Sequence, residues 1–511
     1  MAARNPALPR SAAGDRNPWI IAIVVSMATF MEVLDTTIAN VSLKHIAGSL
    51  AASQDESTWI LTSYLISNAV VLPISGWLAE LIGRKRFYML CVATFTASSF
   101  LCALAPNLTM MIIFRVLQGM GGGGLAPTEQ SIFADSFPPE KRQLAFAVYG
   151  ITIIVAPAVG PVLGGWLTDN YSWHWIFLIN LPVGLLSLAL IYLLIDEPQA
   201  VREDTRKFRA NFIFDWLGCI LIAATFGCLQ VVLDRFQEDD GFASLRIVLF
   251  ATVSAFCFVA MVMWEWNHPQ PVLNIKLFKI PSFAISCALM FMVGFYIYST
   301  TNLIPQLAQS LLGYDAYAAG KVLTLGGLAA ALIMPIAGTI GRKVSPKAVL
   351  MAAFLVSGAA FVHMSHLNLE VSGRELAWAR VYQMIAMPFL FVTLTAVGYV
   401  GIPPDKSAQA SSIINLMRNL GGSVGVAVAS TAVIWRTQFH HVRLSEHVSA
   451  FSTLPHPLSG TGLPAAQALV QSNAQIMSYL DVYWLFAIIA FCVAPFALLL
   501  KSPRPGAAGA H

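Results

Sequence analysis

The sequence predicts an all-α protein that crosses a membrane many times. Its 511 residues are 57% hydrophobic and only 11% charged, whereas a soluble domain carries about 25% charged residues. The apolar residues lie in runs of about 20, the length that an α-helix needs to cross a hydrocarbon core of about 30 Å. The first run, roughly residues 18–41, is too long for a signal peptide, so we expect it to stay in the membrane.

About 14 spans are predicted along the chain. They cover roughly residues 18–41, 58–80, 86–105, 108–134, 143–167, 174–195, 214–233, 245–266, 282–310, 317–341, 346–366, 376–401, 407–435 and 476–500. Lysine and arginine favour cytoplasmic loops. If the N-terminus is cytoplasmic, 20 basic residues lie on that side and 7 lie outside. This asymmetry predicts an even number of spans with both termini cytoplasmic, in the cell inner membrane.

Short patterns repeat between the two halves of the chain. Arg115–Gln118 recurs as Arg380–Gln383, Pro138–Lys141 as Pro403–Lys406, and Gly83–Lys85 as Gly341–Lys343. The offset is 265 residues for the first two matches and 258 for the third. Parallel six-span repeats are typical of secondary transporters whose binding site lies between the halves.

The repeat predicts five segments. They are a cytoplasmic tail (1–17), a six-helix bundle (18–197), a connector with two inserted helices (198–280), a second six-helix bundle (281–501) and a short cytoplasmic tail (502–511). A periplasmic loop is predicted at 436–475, within the second bundle, and its histidines are expected to be solvated.

Charged residues inside the spans are the candidate functional site. The first span carries Glu32 and Asp35, and the fourth carries Arg115. A charge at bilayer depth costs roughly 2.5–3.5 kcal/mol, so such residues are rare and usually functional. The carboxylates are three residues apart and share one helix face. We hypothesise that Asp35 carries a coupling proton, that Glu32 shares it and senses cationic substrates, and that Arg115 resets Asp35. The alternative is a static buried ion pair.

Four stretches resemble the major facilitator superfamily, and within it the 14-span drug:proton antiporters of the EmrB/QacA type. The stretches are Met31–Val41 in the first span, Gly76–Lys85 after the second, Arg115 with Gln118 and Gly119 in the fourth, and Gly150–Gly165 in the fifth. The resemblance covers residues 18–500. It implies the major facilitator fold, with two six-helix bundles and two extra inserted helices.

The resemblance implies two further functional motifs. A cytoplasmic gate motif comprises Gly76, Glu80, Gly83, Arg84 and Lys85, and an antiporter hinge motif comprises Gly150, Pro157, Gly160, Pro161, Gly164 and Gly165. Glu80 and Leu81 stand where the superfamily usually has Asp-Arg, so we expect the gating ion pair to be rebuilt with Arg84 or Lys85. The simpler interpretations are that the basic residues of the gate motif only fix the orientation in the membrane, and that the small residues of the hinge motif only allow tight helix packing.

A substrate cavity is predicted from polar and aromatic residues on facing spans. The candidates are Tyr64, Gln118, Phe295, Tyr298, Asn302, Gln306 and Arg380. The run Gly121–Gly124 is not followed by Lys and Ser or Thr, which argues against a phosphate-binding loop and leaves flexibility or close packing as its role. No cofactor, metal site or enzymatic activity is expected.

The predicted function is proton-coupled multidrug efflux of hydrophobic or amphipathic toxic compounds by alternating access. The expected partners are these substrates, protons and the lipid bilayer, without nucleic acid. The EmrB-like resemblance adds a periplasmic membrane-fusion adaptor and an outer-membrane channel. The alternatives are a dedicated exporter of one metabolite or antibiotic and a non-transporting membrane sensor.

Overall fold

The computed structural model describes residues 17–197, 199–210, 212–446 and 462–500, which form helices and no β-strand. The first half contains α1 (Pro18–Ser49), α2 (Gln54–Ser57), α3 (Trp59–Ile82), α4 (Arg84–Ala103), α5 (Leu108–Gly122), α6 (Leu125–Ser136), α7 (Pro139–Asn170), α8 (His174–Leu178) and α9 (Asn180–Leu194). The connector α10 (Gln199–Ala210) leads to the inserted pair α11 (Trp216–Arg235) and α12 (Leu245–Asn267). The second half contains α13 (Pro281–Ser310), α14 (Ala316–Lys343), α15 (Pro346–Met364), α16 (Gly373–Gly398), α17 (Ser407–Ser445) and α18 (Gly462–Val493).

Local sequence explains where several helices begin and end. The Asn17 side chain caps α1, and Pro18 occupies the first helical position, where its missing N–H costs nothing. Ser372 and Glu375 form a capping box at the start of α16. Gly83 has a φ of +94°, which few other residues adopt, and it separates α3 from α4.

The predicted polytopic all-α fold is confirmed. Thirteen spans in the described ranges are long and apolar enough to cross a membrane, with α5–α6 and α8–α9 each forming one span. The helix α17 is the fourteenth by length and position, but buried polar residues such as Gln409, Asn415 and Arg418 make it less apolar. The expected close packing holds at the break between α5 and α6, where Gly123 lies against the Asn68 carbonyl.

The last two helices extend into the segment predicted to be a periplasmic loop. The helix α17 continues to Ser445 and α18 begins at Gly462, so helix occupies both flanks of the 436–475 segment. His440, expected to be solvated, is buried and bonds Asp481 through Nε2 at 2.6 Å. His447 lies outside the described residues.

The two bundles meet along α7 and α17. In the first bundle α1 packs on α7, while α3 and α4 pack on α5; in the second, α13 packs on α16 and α17, and α15 on α16 and α18. Between the bundles α7 packs on α14, and α3 and α6 pack on α17. Of the inserted pair, α11 packs on α3, whereas α12 exposes most of its surface.

We call the side where α3 ends and α17 begins the connector face; it is the side predicted to be cytoplasmic. On the opposite face, α11 lies between the two bundles. There Asp234 bonds Thr62 of α3, and Gln230 accepts a hydrogen bond from Ser423 of α17 at 3.1 Å. The inserted helix therefore links the start of α3 to the middle of α17.

Small residues give α7 two closely packed sides. Gly160 faces Thr37 and Gly164 faces Ile38, both on α1, and added Cβ atoms would meet these side chains. Gly150 faces Met334 of α14. Gly165 has open space where a Cβ would be. Close helix packing therefore accounts for glycine at positions 150, 160 and 164, but not at position 165.

We predict that Gly160→Ala destabilises the protein, because its methyl group would collide with Thr37. Overpacking of this kind costs about 1–3 kcal/mol. The matched control is Gly165→Ala, whose methyl group has room and which replaces glycine within a helix; it should leave stability unchanged or raise it by up to about 1 kcal/mol. Thermal unfolding of both variants in detergent measures the difference. Equal melting temperatures would contradict the packing account.

Candidate functional site

The Asp35 carboxylate lies at the centre of a buried polar cluster. Nη1 of Arg115 donates to Oδ2 of Asp35 at 2.7 Å. The other oxygen, Oδ1, accepts from Gln118 Nε2 at 3.0 Å and from Asn180 Nδ2 at 2.6 Å. Ser99 accepts from both amides. The Asp35–Arg115 pair was expected from the sequence, and Gln118 was expected to line the substrate cavity. Asn180 and Ser99 lie in spans for which no site residue was predicted.

The Arg115 guanidinium is held on several sides. It is fully buried, and besides Asp35 it donates to Gln118 Oε1 at 2.7 Å and to the Ile60 carbonyl at 3.0 Å. Its Cζ lies 4.5 Å from the centre of the Tyr64 ring, a cation–π distance. Removing one partner of a buried ion pair costs about 3–5 kcal/mol, because an uncompensated charge remains. Neutralising Asp35 therefore changes the balance of forces on Arg115.

The Glu32 carboxylate occupies a neighbouring site on α1 and does not bond Arg115. Its Oε1 accepts from the Tyr64 hydroxyl at 2.8 Å and from Asn68 Nδ2 at 3.3 Å. Tyr64 thus has its ring against Arg115 and its hydroxyl on Glu32. The two carboxylates predicted to act together are connected through this one tyrosine.

A third buried carboxylate, Glu129 on α6, was missed by the sequence reasoning. It is fully buried; Oε1 accepts from Ser26 Oγ of α1 at 2.5 Å, and Oε2 accepts no hydrogen bond from a described residue. An acidic residue within the fourth predicted span was the available signal. Arg418 on α17 is near enough to attract both Glu32 and Glu129 electrostatically.

A hydrogen-bond chain crosses the interface between the bundles beside these carboxylates. Arg418 Nη1 donates to the Tyr149 hydroxyl at 2.8 Å, and that hydroxyl donates to Asn415 Oδ1 at 2.9 Å. Asn415 Nδ2 in turn donates to Gln130 Oε1 at 2.9 Å. Gln130 directly follows Glu129 in α6, so a movement of α17 against the first bundle disturbs the surroundings of Glu129.

The second bundle repeats the arginine site without its carboxylate. Arg380 Nη1 donates to Gln383 Oε1 at 2.7 Å, the distance found between Arg115 and Gln118. Where Arg115 has Asp35, Arg380 has the hydroxyls of Thr300 and Thr301, at 2.5 and 2.8 Å. The repeat seen in sequence is thus also a repeat of geometry, and carboxylate chemistry at this position is confined to the first half.

The gate motif contacts the second bundle at the connector face. A Cβ on Gly76 would lie 2.7 Å from the Ala408 carbonyl, so α3 and α17 touch there through backbone. Glu80 Oε2 accepts from Gln409 Nε2 at 2.8 Å and lies 3.8 Å from Lys406 Nζ. The carboxylate partner is therefore Lys406, rather than the expected Arg84 or Lys85.

Arg84 reaches across the same face by another route. Its guanidinium pairs with Asp135 of α6 and donates to Ser407 Oγ at 2.9 Å. Lys85 instead donates to the Tyr192 carbonyl at 3.0 Å, within its own bundle. The two neighbouring basic residues thus differ: only Arg84 contacts α17.

The residues predicted to line a substrate cavity do not share one in this conformation. Tyr64 and Gln118 belong to the Asp35 cluster, and Phe295 packs on Phe486 with ring centres 5.3 Å apart. Asn302 and Gln306 are exposed. Tyr298 lies against Gly422, and Arg380 lines a small cavity of about 10 Å³ with Pro157 of α7.

Comparisons with known proteins agree with this geometry. The family model described as Major Facilitator Superfamily matches residues 25–426. The chain is 36% identical over 486 residues to Multidrug export protein EmrB of Haemophilus influenzae, covering 92% of this chain and 93% of the relative. It is 33% identical over 506 residues to Fatty acid resistance protein FarB of Neisseria gonorrhoeae, covering 96% and 98%.

Solved structures show the same fold. The proton:xylose symporter XylE matches with a TM-score of 0.62 at 13% identity, covering 95% of this chain and 96% of that one. The human organic anion transporter MFSD10 matches with a TM-score of 0.58 at 14% identity, covering 94% and 100%. The predicted resemblance is confirmed: the chain belongs to the Major Facilitator Superfamily and is similar over nearly its whole length to its EmrB-like multidrug export proteins.

Proposed function

We propose that this protein exports hydrophobic or amphipathic toxic compounds in exchange for protons, acting as a transporter and not as an enzyme. The observation that carries the proposal is the buried Asp35–Arg115 pair, with two further carboxylates, Glu32 and Glu129, within the same bundle. The names of the EmrB relatives support drug export. The excess of basic residues at the connector face supports an inner-membrane orientation with both termini cytoplasmic.

Proton exchange begins at Asp35. A proton arriving from the periplasm bonds to the carboxylate, and Arg115 then loses its charged partner. The guanidinium keeps Gln118 and the Ile60 carbonyl but is free to shift against Tyr64. Because the Tyr64 hydroxyl bonds Glu32, this shift changes the Glu32 site, where a cationic or polar drug group would compete with the proton. When the proton leaves toward the cytoplasm, the Asp35–Arg115 pair forms again.

Alternating access couples this exchange to the connector face. The closed contacts there are Glu80 with Gln409 and Lys406, and Arg84 with Ser407. All of them join the first bundle to α17, which also carries Arg418 and Asn415. A rotation of α17 that opens the cytoplasmic side would therefore alter the surroundings of Glu129 in the same movement.

The route beyond the membrane is the part of the proposal that rests on the EmrB-like resemblance alone. A periplasmic membrane-fusion adaptor and an outer-membrane channel would carry the drug onward, and the periplasmic ends of α17 and α18 are the surface proposed to meet the adaptor. Dedicated export of one compound class is the second candidate, since one relative is named for fatty acid resistance. A panel of cationic, acidic and neutral compounds separates the two.

The proposal predicts that drugs drive proton movement in everted vesicles and that Asp35→Asn abolishes it. The amide keeps the shape of the side chain but cannot exchange a proton, so the drug-induced signal should fall by about tenfold or more. Asp239→Asn, at an ion pair on the opposite face, is the control and should retain the signal. Full proton movement in folded Asp35→Asn would contradict the assigned role.

A second prediction concerns the gate. Arg84→Ala removes the contacts with Asp135 and Ser407 and should open the cytoplasmic side more often, whereas Lys85→Ala loses only a contact within its bundle. With Ser412→Cys as reporter in a background without native cysteines, Arg84→Ala should react with a membrane-impermeant maleimide from the cytoplasmic side several times faster than Lys85→Ala. Equal labelling rates would remove Arg84 from the gate.

A further inference from the structure

A cavity at the connector face lies outside the proton site. Its volume is about 210 Å³, and residues from three separate segments line it, including Phe208, Gln270, Asn274, Lys276, Lys406 and Gln409. Phe208 belongs to the connector helix α10. Gln270, Asn274 and Lys276 follow the inserted helix α12, whereas Lys406 directly precedes α17 and Gln409 lies in its first turn. The connector helix and the segment after α12 thus complete a cavity at the start of α17.

The lining of the cavity suits an anion. Its charged residues are two lysines, and no carboxylate is among its lining residues. The amide oxygens of Asn274 and Gln409 have almost no accessible surface, so they offer no acceptor to a ligand in the cavity. Two ammonium groups favour a phosphate.

The surroundings of the cavity are typical of a membrane interface. Phe214 and Trp216 at the start of α11 are 57% and 62% exposed, and Trp266 at the end of α12 is 42% exposed. Exposed tryptophans at span ends mark the depth of the lipid headgroups. Lys279, three residues beyond Lys276, lies over the Trp266 ring at 4.8 Å and not in the cavity.

We propose that this cavity binds the phosphate of an anionic phospholipid headgroup, with Lys276 and Lys406 holding the phosphate. Basic pockets beside membrane spans are known sites for anionic headgroups. The exposed aromatic residues at the same depth give the acyl chains an apolar surface, which favours a lipid over a soluble phosphate ester.

The site is placed to act on the gate. Lys406 and Gln409 are also the two residues that contact Glu80 across the bundle interface, at 3.8 and 2.8 Å. A phosphate beside Lys406 competes with Glu80 for its charge and weakens the contact between α3 and α17. Bound anionic lipid therefore favours opening of the connector face.

The test compares Lys276→Gln with Lys279→Gln. The two variants lose the same charge from the same short segment, but only Lys276 lines the cavity, and neither contacts Glu80. Native mass spectrometry of the purified full chain measures retained phosphatidylglycerol against phosphatidylcholine. One basic contact near a membrane surface contributes about 1 kcal/mol, so Lys276→Gln should bind phosphatidylglycerol about fivefold more weakly, with Lys279→Gln unchanged.

Two outcomes would overturn the proposal. Equal phosphatidylglycerol retention by wild type, Lys276→Gln and Lys279→Gln would mean that the cavity is not the lipid site. If glycerol phosphate added to protein in phosphatidylcholine displaces phosphatidylglycerol at low concentration, a soluble ester is the ligand and the lipid assignment is wrong. This binding measurement does not depend on transport, so its failure would leave the proposed drug:proton exchange intact.

Discussion

The structure depends on one constraint: a charge buried at membrane depth needs a partner. Asp35 and Arg115 satisfy each other at 2.7 Å, and two amides and a backbone carbonyl complete the cluster. The members come from four spans, with Arg115 and Gln118 both on α5, because no single helix can surround a charge. The first bundle is therefore organised around a carboxylate whose protonation alters the forces on its neighbours. This makes an ordinary stabilising interaction usable as a switch.

Further contacts join the ion pair to the other buried carboxylates and to the helix α17 of the second bundle, whose movement we propose opens the connector face. Tyr64 links the ion pair to Glu32, and the chain from Arg418 to Gln130 links the second bundle to Glu129. At the connector face, α17 also makes the gate contacts. One helix thus touches both the proposed gate and the carboxylate region, which is the physical basis of the coupling that we propose between drug passage and proton binding. On α7, Gly150 makes a close contact with Met334 of the second bundle, whereas Gly160 and Gly164 pack α7 on α1 within the first bundle.

Much of this arrangement could be predicted from sequence. Hydrophobic length and the short repeats were sufficient for the fold, and the cost of a buried charge was sufficient to pair Asp35 with Arg115. The matching Arg–Gln geometry at Arg380 and Gln383 also follows from the repeat. These predictions succeed because they depend on local sequence patterns, or on buried charges for which an apolar chain offers few oppositely charged partners.

Other features depend on packing that a single sequence does not reveal. Glu80 forms its ion pair with Lys406, more than 300 residues later in the chain, and not with the expected Arg84, which is only four residues away in sequence. Gly160 and Gly165 look alike in sequence, yet only the first lies against another helix. Glu129 was visible as a charge within a span, but its closeness to Ser26 and Arg418 required the three-dimensional structure. The length of α17 was underestimated because its polar residues resemble those of a loop.

The most direct test of the account separates proton coupling from drug movement. Purified protein in liposomes should accumulate a drug when a pH gradient is imposed, and it should also exchange labelled for unlabelled drug without a gradient. We expect Asp35→Asn to keep the exchange and lose the response to the gradient, because the substrate path remains while the proton site is gone. If Asp35→Asn still concentrates the drug in response to the gradient, the proton is carried elsewhere and the central role of the Asp35–Arg115 pair is wrong.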